Sequence, residues 1–598
     1  MTKQLMSGDQ AIARGVWEAG VVLATSYPGT PATEILESLA HYPEIKAQWS
    51  VNEKVAFDEA MGAAIGGVRA FVSMKHVGLN VAADSFMVFP YAGTNAGFVI
   101  LSADDPGTHS SQNEQDNRYF AKFAKVPLLE PADNQEAKDF VKFAFDLSEQ
   151  FETPVMMRIT MRLAHTKGLV DTSGERQVYP RRPFVKNNLK WVVPPFAKAH
   201  RGPLENKVRA LEQYAETCPL NVIEPGTGGV DYGVITSGVI YQYVREVLPE
   251  PTVFKLGLTY PLPKQRLLDF CAQYRRVYVI EESEPFLEEQ LRYWGVQNIV
   301  GKEMFTNQGE LLPEIIAHQM HGTPIPNDYS QEIPTPPRPP MLCIGCPHRG
   351  TFTSLNRLTG ITVTGDIGCY TLGGLPPYNT MNTSFAMGAS IGNAVGFELA
   401  GEKRTFAVIG DSTFLHGGIQ PLMDAVYHGA KTKVVIMDNR TTGMTGQENH
   451  PGTGKDLHGQ PAKQVDYEQL CRAIGVEWVK RVNAFRPKEV EAALREALKF
   501  DGPAVVISEG PCVLIPEEKT KPKVAFKVLA EECIACGLCF HTGCPAILES
   551  HETYQASASQ KARPKALIDP NICVGCTLCA AVCPPECIVR VDGQPWGA

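Results

Sequence analysis

Residues 404–441 read RTFAVIGDSTFLHGGIQPLMDAVYHGAKTKVVIMDNRT. Two unbroken apolar runs, RTFAVIG and KVVIM, each stop abruptly at polar residues: Gly410-Asp411-Ser412 after the first, Asp438-Asn439-Arg440-Thr441 after the second. A short β-branched run with no polar alternation is a strand buried on both faces, and Gly, Asp and Asn turn such a strand into a loop or helix cap. The same grammar recurs in GVVLATSYPG, GFVILSADDPG, DYGVITSG and RRVYVIEE, with helical stretches between. The fold class is therefore α/β, with several doubly wound domains whose sites lie at the carboxyl ends of parallel strands.

At 598 residues the chain exceeds one hydrophobic core. One α/β unit is expected over residues 1–175. A Pro-rich, basic connecting segment follows over 176–230, and a second α/β unit over 231–330. QEIPTPPRPP, residues 331–340, reads as a stiff linker. A third α/β unit spans 341–520, and a small cysteine-rich domain spans 524–598. A net charge of -9 is small for this length and argues against a nucleic-acid surface. The sequence has no apolar run long enough to span a membrane, and MTKQLMSGDQAIARG lacks a signal core, so a cytoplasmic location is expected. In that reducing compartment the sixteen cysteines read as metal ligands before disulfides.

Residues 533–587 hold nine of those cysteines. Cys533, Cys536, Cys539 and Cys544-Pro545 form one run; Cys573, Cys576, Cys579 and Cys583-Pro584 form the other. Each is the C-x2-C-x2-C…C-P spacing of a [4Fe-4S] site whose fourth ligand comes from the other run. The expected sets are Cys533, Cys536, Cys539 with Cys583, and Cys573, Cys576, Cys579 with Cys544: a two-cluster, ferredoxin-like domain. Cys218, Cys271, Cys471 and Cys587 have no assigned partner.

At the ends of the two opening strands, Asp411 and Asn439 offer hard oxygens suited to Mg²⁺ bridging to phosphate. Ordinary polar strand caps would look alike. The pattern resembles the thiamine diphosphate motif, with Ser412 in place of its second Gly and Asp438 in place of its first Asn. That resemblance implies Mg²⁺ held by Asp411, Asn439 and the Thr441 carbonyl, with Gly410 and Ser412 beside the phosphates. Thiamine enzymes also need one carboxyl beside the aminopyrimidine ring, on a separate pyrimidine-binding domain. Glu53, which opens a helix rich in small residues (Ala56, Ala60, Gly62), fits that role; Glu59 is its competitor, and a plain helix N-terminal charge is the bland reading. Ser26-Tyr27-Pro28-Gly29-Thr30-Pro31 lies between a strand and a helix, where Gly29 and Thr30 can meet an anionic ligand. Lys75 and His76, after the strand AFVSMK, are candidates for a 2-oxo acid's carboxylate.

YPGTP, NEKVAFDEAMGAA, MKHVGLN, CIGCPHRG, GDIGCYTLG, GDSTF and MDN, together with the tail, resemble the large α subunits of indolepyruvate:ferredoxin oxidoreductases over nearly the whole length. The wider resemblance is to 2-oxoacid:ferredoxin oxidoreductases. It implies CoA-dependent oxidative decarboxylation of aryl pyruvates such as indolepyruvate, giving aryl acetyl-CoA and carbon dioxide, with electrons passed to ferredoxin. It also implies a separate small β subunit and a dimer of heterodimers. Cys343, Cys346, Cys369 and Cys512 resemble that family's proximal [4Fe-4S] cluster, although a zinc site would use the same four thiolates. Two other readings stay open: another 2-oxo acid (pyruvate, 2-oxoglutarate), and a thiamine-dependent decarboxylase that needs no electron exit.

Overall fold

The computed structural model describes residues 3–324, 339–557, 559 and 561–594. All of the 331–340 linker except its last two residues lies outside the described residues. The chain forms two compact units, Met1–Thr335 and Pro336–Ala598. Among the described residues no helix is long and apolar enough to cross a membrane.

The first unit contains two large sheets and a small antiparallel ribbon, Lys3–Met6 with Gly168–Asp171. The larger runs, edge to edge, Leu258–Tyr260, Leu128–Leu129, Val155–Thr160, Phe98–Asp104, Ala70–Lys75, Leu23–Ser26 and Lys46–Trp49. All its pairings are parallel except the first. The strands Phe98–Asp104 and Ala70–Lys75 are buried along their whole length, the physical counterpart of their unalternating apolar sequence. The second sheet runs Ile299–Val300, Arg276–Ile280, Tyr232–Ser237, Thr252–Leu256 and Val222–Glu224. Residues 176–230 are thus more than a connection. They carry the helix Val193–Ala215, begun by prolines at its first positions, and the strand Val222–Glu224, which adds to the second sheet. Conversely, Leu258–Tyr260 crosses to the first sheet, so the two α/β regions of this unit share strands.

A buried ionic network joins those two sheets. Arg158 donates to Asp104 (2.5 Å) and Glu130 (2.7 Å), and Arg118 donates to Glu281 (2.7 Å) and Asp116. Glu281 in turn accepts the N–H groups of Leu287 and Glu288, both at 3.0 Å, at the start of the helix Phe286–Tyr293. Removing one member leaves an uncompensated buried charge, which costs about 3–5 kcal/mol.

The second unit is built on one six-stranded parallel sheet: Thr383–Ser384, Thr362–Gly365, Thr405–Gly410, Lys433–Asp438, Ala504–Glu509 and Trp478–Asn483. The two runs that open the sequence reading are adjacent strands at its centre. The tail adds two antiparallel ribbons, Phe526–Val528 with Ile588–Arg590 and Ile547–Tyr554 with Arg563–Ile568.

Asp9 supplies a stability test. It sits in the first turn of the helix Gly8–Glu18, fully buried, with neither carboxylate oxygen hydrogen-bonded. Burial, then the nearby Glu34 charge, raises its pKa well above the ordinary carboxylate value. A raised folded pKa means the folded state holds the proton more tightly than the unfolded one. The associated stability is present below the unfolded carboxylate pKa and is lost as pH rises through the folded value. Asp9→Asn should therefore stabilise the chain by about 1–3 kcal/mol at pH 8 and by little at pH 4. Denaturant midpoints at the two pH values check this; equal shifts at both would contradict it.

Candidate functional site

The carboxyl edge of the six-stranded sheet gathers the expected phosphate and metal residues. Asp411 starts the short helix Asp411–Thr413, which passes through a π turn, Phe414–Gly418, into Ile419–Tyr427. Such π turns often mark functional sites. One end of the Asn439 side-chain amide lies 3.1 Å from Asp411 Oδ1 and 2.7 Å from the Thr441 carbonyl oxygen. With the amide oxygen at that end, three oxygens converge with no hydrogen between them, which a cation would reconcile. With the amide reversed, its N–H₂ donates to both neighbours. The donor set is all hard oxygen, as Mg²⁺ requires, and so fits the ion.

Electrostatics around the cradle are uneven. Burial pushes Asp411 up, but His450, 3.3 Å from its Oδ2, and the Ser412 N–H at 2.9 Å more than offset this and hold it below the ordinary value. Asp438 is pushed up to about 8 by burial and by the charge of Asp411. Gly410 proves to have a packing reason. A Cβ there would lie 2.5 Å from the ring of Tyr370, whose hydroxyl donates to Ile367 O (2.7 Å) and bonds Thr413 (3.0 Å).

Cys343, Cys346, Cys369 and Cys512 lie close enough for their thiols to influence one another. Cys369 is pushed up to about 11 by burial and by Cys512 and Cys343, so as a bare thiol it favours its protonated form. Bound iron or zinc would supply the charge that holds such thiols deprotonated. This set adjoins the oxygen cradle: Cys512 N–H donates to Asn439 O at 3.0 Å. A Cβ placed on Gly443 would sit 3.3 Å from Asn439 Nδ2 and 3.5 Å from Cys369 Sγ.

In the tail, one apolar cavity is lined by Cys533, Cys536, Cys539 and Cys583, with Cys587 also in its wall. A second is lined by Cys544, Cys573, Cys576 and Cys579. The interleaved grouping read from the spacing is the grouping the fold brings together. Ile344 and Gly345, between Cys343 and Cys346, form part of the second cavity's wall. A side chain at Gly345 (φ 76°) would meet Val574 at 2.5 Å and Cys576 at 3.6 Å, so the upstream cysteine loop abuts the tail directly.

In the first unit, Glu53 begins the helix Glu53–Ile65 and is buried. Asn52 caps the helix by accepting the Val55 N–H at 2.9 Å. Gly78, on the neighbouring helix His76–Ala92, makes the room: a Cβ there would lie 2.6 Å from Glu53 Cγ. Glu59 instead accepts hydrogen bonds from Gln48 (2.9 Å) and Ser50 (2.6 Å), a structural role. The Lys75 ammonium is pushed down to about 8 by burial and donates to the carbonyls of Thr30 (2.7 Å) and Ser110 (2.9 Å). It thereby ties the Gly29–Thr30 loop to the loop containing Ser110, and its Cβ lies 3.0 Å from where a Gly29 side chain would begin. His76 Nε2 bonds Asn113 O at 3.2 Å, while its buried Nδ1 has no hydrogen bond.

Two residues of CIGCPHRG escaped the sequence reading. His348 is buried with neither ring nitrogen hydrogen-bonded; burial pushes it down to about 4, and its ring lies 5.9 Å from that of Tyr370. The charge that acts on it is that of Asp411, so the imidazole is neutral and lies within electrostatic reach of the cradle. Arg349 is fully buried and donates to the carbonyls of Cys343 (2.8 Å), Leu342, Thr542 (3.1 Å) and Gly543 (2.5 Å). One guanidinium thus ties the upstream cysteine loop to the residues just before Cys544. Their signal was adjacency to Cys346. Arg349→Met should lower bound iron per chain and destabilise the chain by about 3–5 kcal/mol, because four carbonyls lose a charged donor. Iron analysis and denaturant midpoints check this; unchanged values would contradict the role.

Comparison with known proteins matches the same regions. Residues 366–508 match the family "Thiamine pyrophosphate enzyme, C-terminal TPP binding domain", and residues 14–208 match "Pyruvate flavodoxin/ferredoxin oxidoreductase, thiamine diP-bdg". The chain is 38% identical to the indolepyruvate oxidoreductase subunit IorA of Archaeoglobus fulgidus, across 98% of this chain and 97% of that one. It is 39% identical to the subunit of the same name from Methanothermobacter marburgensis, across 97% and 96%. The Pyrococcus horikoshii subunit is 38% identical across 97% and 96%. With thiamine-binding folds in both units and similarity running end to end, the chain belongs to the IorA family of indolepyruvate oxidoreductase subunits.

Proposed function

We propose that this chain binds thiamine diphosphate and carries the CoA-dependent oxidative decarboxylation of aryl pyruvates, indolepyruvate among them. The products are aryl acetyl-CoA and carbon dioxide, and two electrons pass to ferredoxin. The observation that carries the reading is the shared wall between the oxygen cradle at Asp411, Asn439 and Thr441 and the four-thiol group at Cys369 and Cys512. A cofactor that leaves electron density on the substrate carbon would have its one-electron acceptor beside it.

When bound, thiamine diphosphate supplies a nucleophilic carbon and an electron sink. The protein's part is positioning and proton control. Asp411, Asn439 and the Thr441 carbonyl would hold Mg²⁺ on the diphosphate, with the neutral His348 imidazole in electrostatic reach of Asp411. Glu53, screened from water in its niche against Gly78, would hold the proton that activates the aminopyrimidine ring. Thr30 and Gly29, in a loop braced by Lys75, and His76 line the same carboxyl edge of the first unit's sheet, which suits contact with the 2-oxo acid. Cys343, Cys346, Cys369 and Cys512 would hold the proximal [4Fe-4S] cluster. The two tail sets would hold two more, leading outward to ferredoxin. The relatives' naming as subunits supports a partner chain; we assign it to a small β subunit in a dimer of heterodimers.

The test uses the anaerobically co-purified complex. It should reduce viologen in the presence of indolepyruvate, CoA and thiamine diphosphate. Carbon dioxide release without viologen reduction would point to a plain decarboxylase, and higher kcat/KM for pyruvate or 2-oxoglutarate would remove the aryl assignment. Glu53→Gln keeps the niche filled but cannot deliver the proton. Its turnover should fall about 10²–10⁴-fold with iron content and visible absorbance unchanged; near-normal turnover would contradict the assignment of Glu53.

A further inference from the structure

The first tail cavity contains one cysteine more than a cluster needs. Cys533, Cys536, Cys539 and Cys583 suffice as ligands, yet Cys587 also lines the wall. It is 2% exposed, and its Sγ lies 3.5 Å from Cys583 Sγ, within sulfur hydrogen-bond range. Its backbone is fixed: the Leu529 N–H donates to Cys587 O at 2.8 Å, and the Glu586 N–H to Cys583 O at 3.3 Å. Glu586 takes φ 55°, the left-handed conformation that folds Cys587 back toward Cys583.

Packing alone does not demand this thiol. In the other half of the tail, Cys544-Pro545 is followed at once by Ala546 and the strand Ile547–Tyr554. In this half, Cys583-Pro584 leads through Pro585 and Glu586 to Cys587 and the strand Ile588–Arg590. Cys587 therefore holds the pre-strand position that Ala546 holds in its counterpart, and the second cavity is lined by four cysteines without a fifth. Cys271 and Cys471 pack in apolar cores away from any cysteine group, as structural cysteines do.

We propose that Cys587 is a reserve ligand of the cluster seated among Cys533, Cys536, Cys539 and Cys583. The inference rests on the assignment of an iron–sulfur cluster to this cavity. In the resting site the Cys587 thiol donates an S–H···S hydrogen bond to Cys583 Sγ. When the Fe–Sγ bond of Cys583 opens, Cys587 Sγ bonds the same iron and its proton passes to the departing Cys583 sulfur. One Fe–S bond breaks and one forms, no electron moves, and the cluster keeps four irons.

The test uses the complete complex, purified without air. Cys583→Ala should retain wild-type iron content and a four-iron reduced-state EPR spectrum, because Cys587 takes over. The double variant Cys583→Ala/Cys587→Ala should lose iron and show a three-iron signal. Equal loss in the single and double variants would overturn the proposal. Should the single variant not fold, Cys587→Ala alone decides: it should start with full iron but release it to a chelator in air several-fold faster than wild type, whereas an equal rate would overturn the proposal. A wild-type complex without iron in the tail would instead remove the underlying cluster assignment.

Discussion

The chemistry of this chain depends on one edge of one sheet. In a parallel sheet every strand ends on the same side, so residues far apart in sequence converge where the strands stop. Here that edge collects hard oxygen and soft sulfur donors together. Asp411 and Asn439 follow two central strands, Cys369 follows the strand Thr362–Gly365, and Cys512 follows Ala504–Glu509. The Cys512 N–H donating to Asn439 O at 3.0 Å fixes the two sets against each other. Separate elements would leave their spacing adjustable; a shared backbone hydrogen bond does not. The proposed passage of electrons from a substrate carbon to iron would use that fixed proximity.

The rest of the second unit extends the edge outward. Gly345 lets the upstream cysteine loop press against Cys576, and Arg349 gathers carbonyls from both sides of that junction. A buried guanidinium is expensive to desolvate unless its donors are matched, and here four backbone oxygens match them. In the first unit the same economy of space appears at Glu53. Glu53 stands at the start of its helix, and the missing side chain at Gly78 gives it a niche shielded from solvent.

Much of this was legible in the chain itself, for definable reasons. Strands buried on both faces announce themselves as unalternating apolar runs, so RTFAVIG and KVVIM were readable as buried strands. The cysteine spacing pairs the two tail runs crosswise, and the same two sets line separate cavities in the fold. Reasons that depend on tertiary partners were not readable. Gly410 looked like a phosphate-approach glycine, but its neighbour is the Tyr370 ring. Lys75 looked like a carboxylate reader, whereas its ammonium braces two loops. Residues 176–230 looked like a connection because they are Pro-rich and basic, yet Pro194 and Pro195 lie in the first turn of a helix. His348 and Arg349 passed as bystanders of a cysteine motif because only burial and partner geometry distinguish them.

The claim that carbon chemistry and iron are coupled at one sheet edge is tested most directly by a single mixing experiment. The anaerobic, cofactor-loaded complex is given indolepyruvate without ferredoxin, and its EPR spectrum is recorded. Reduced, paramagnetic clusters are expected, in a preparation carrying about twelve irons per chain. Release of carbon dioxide with every cluster left oxidised would contradict the claim.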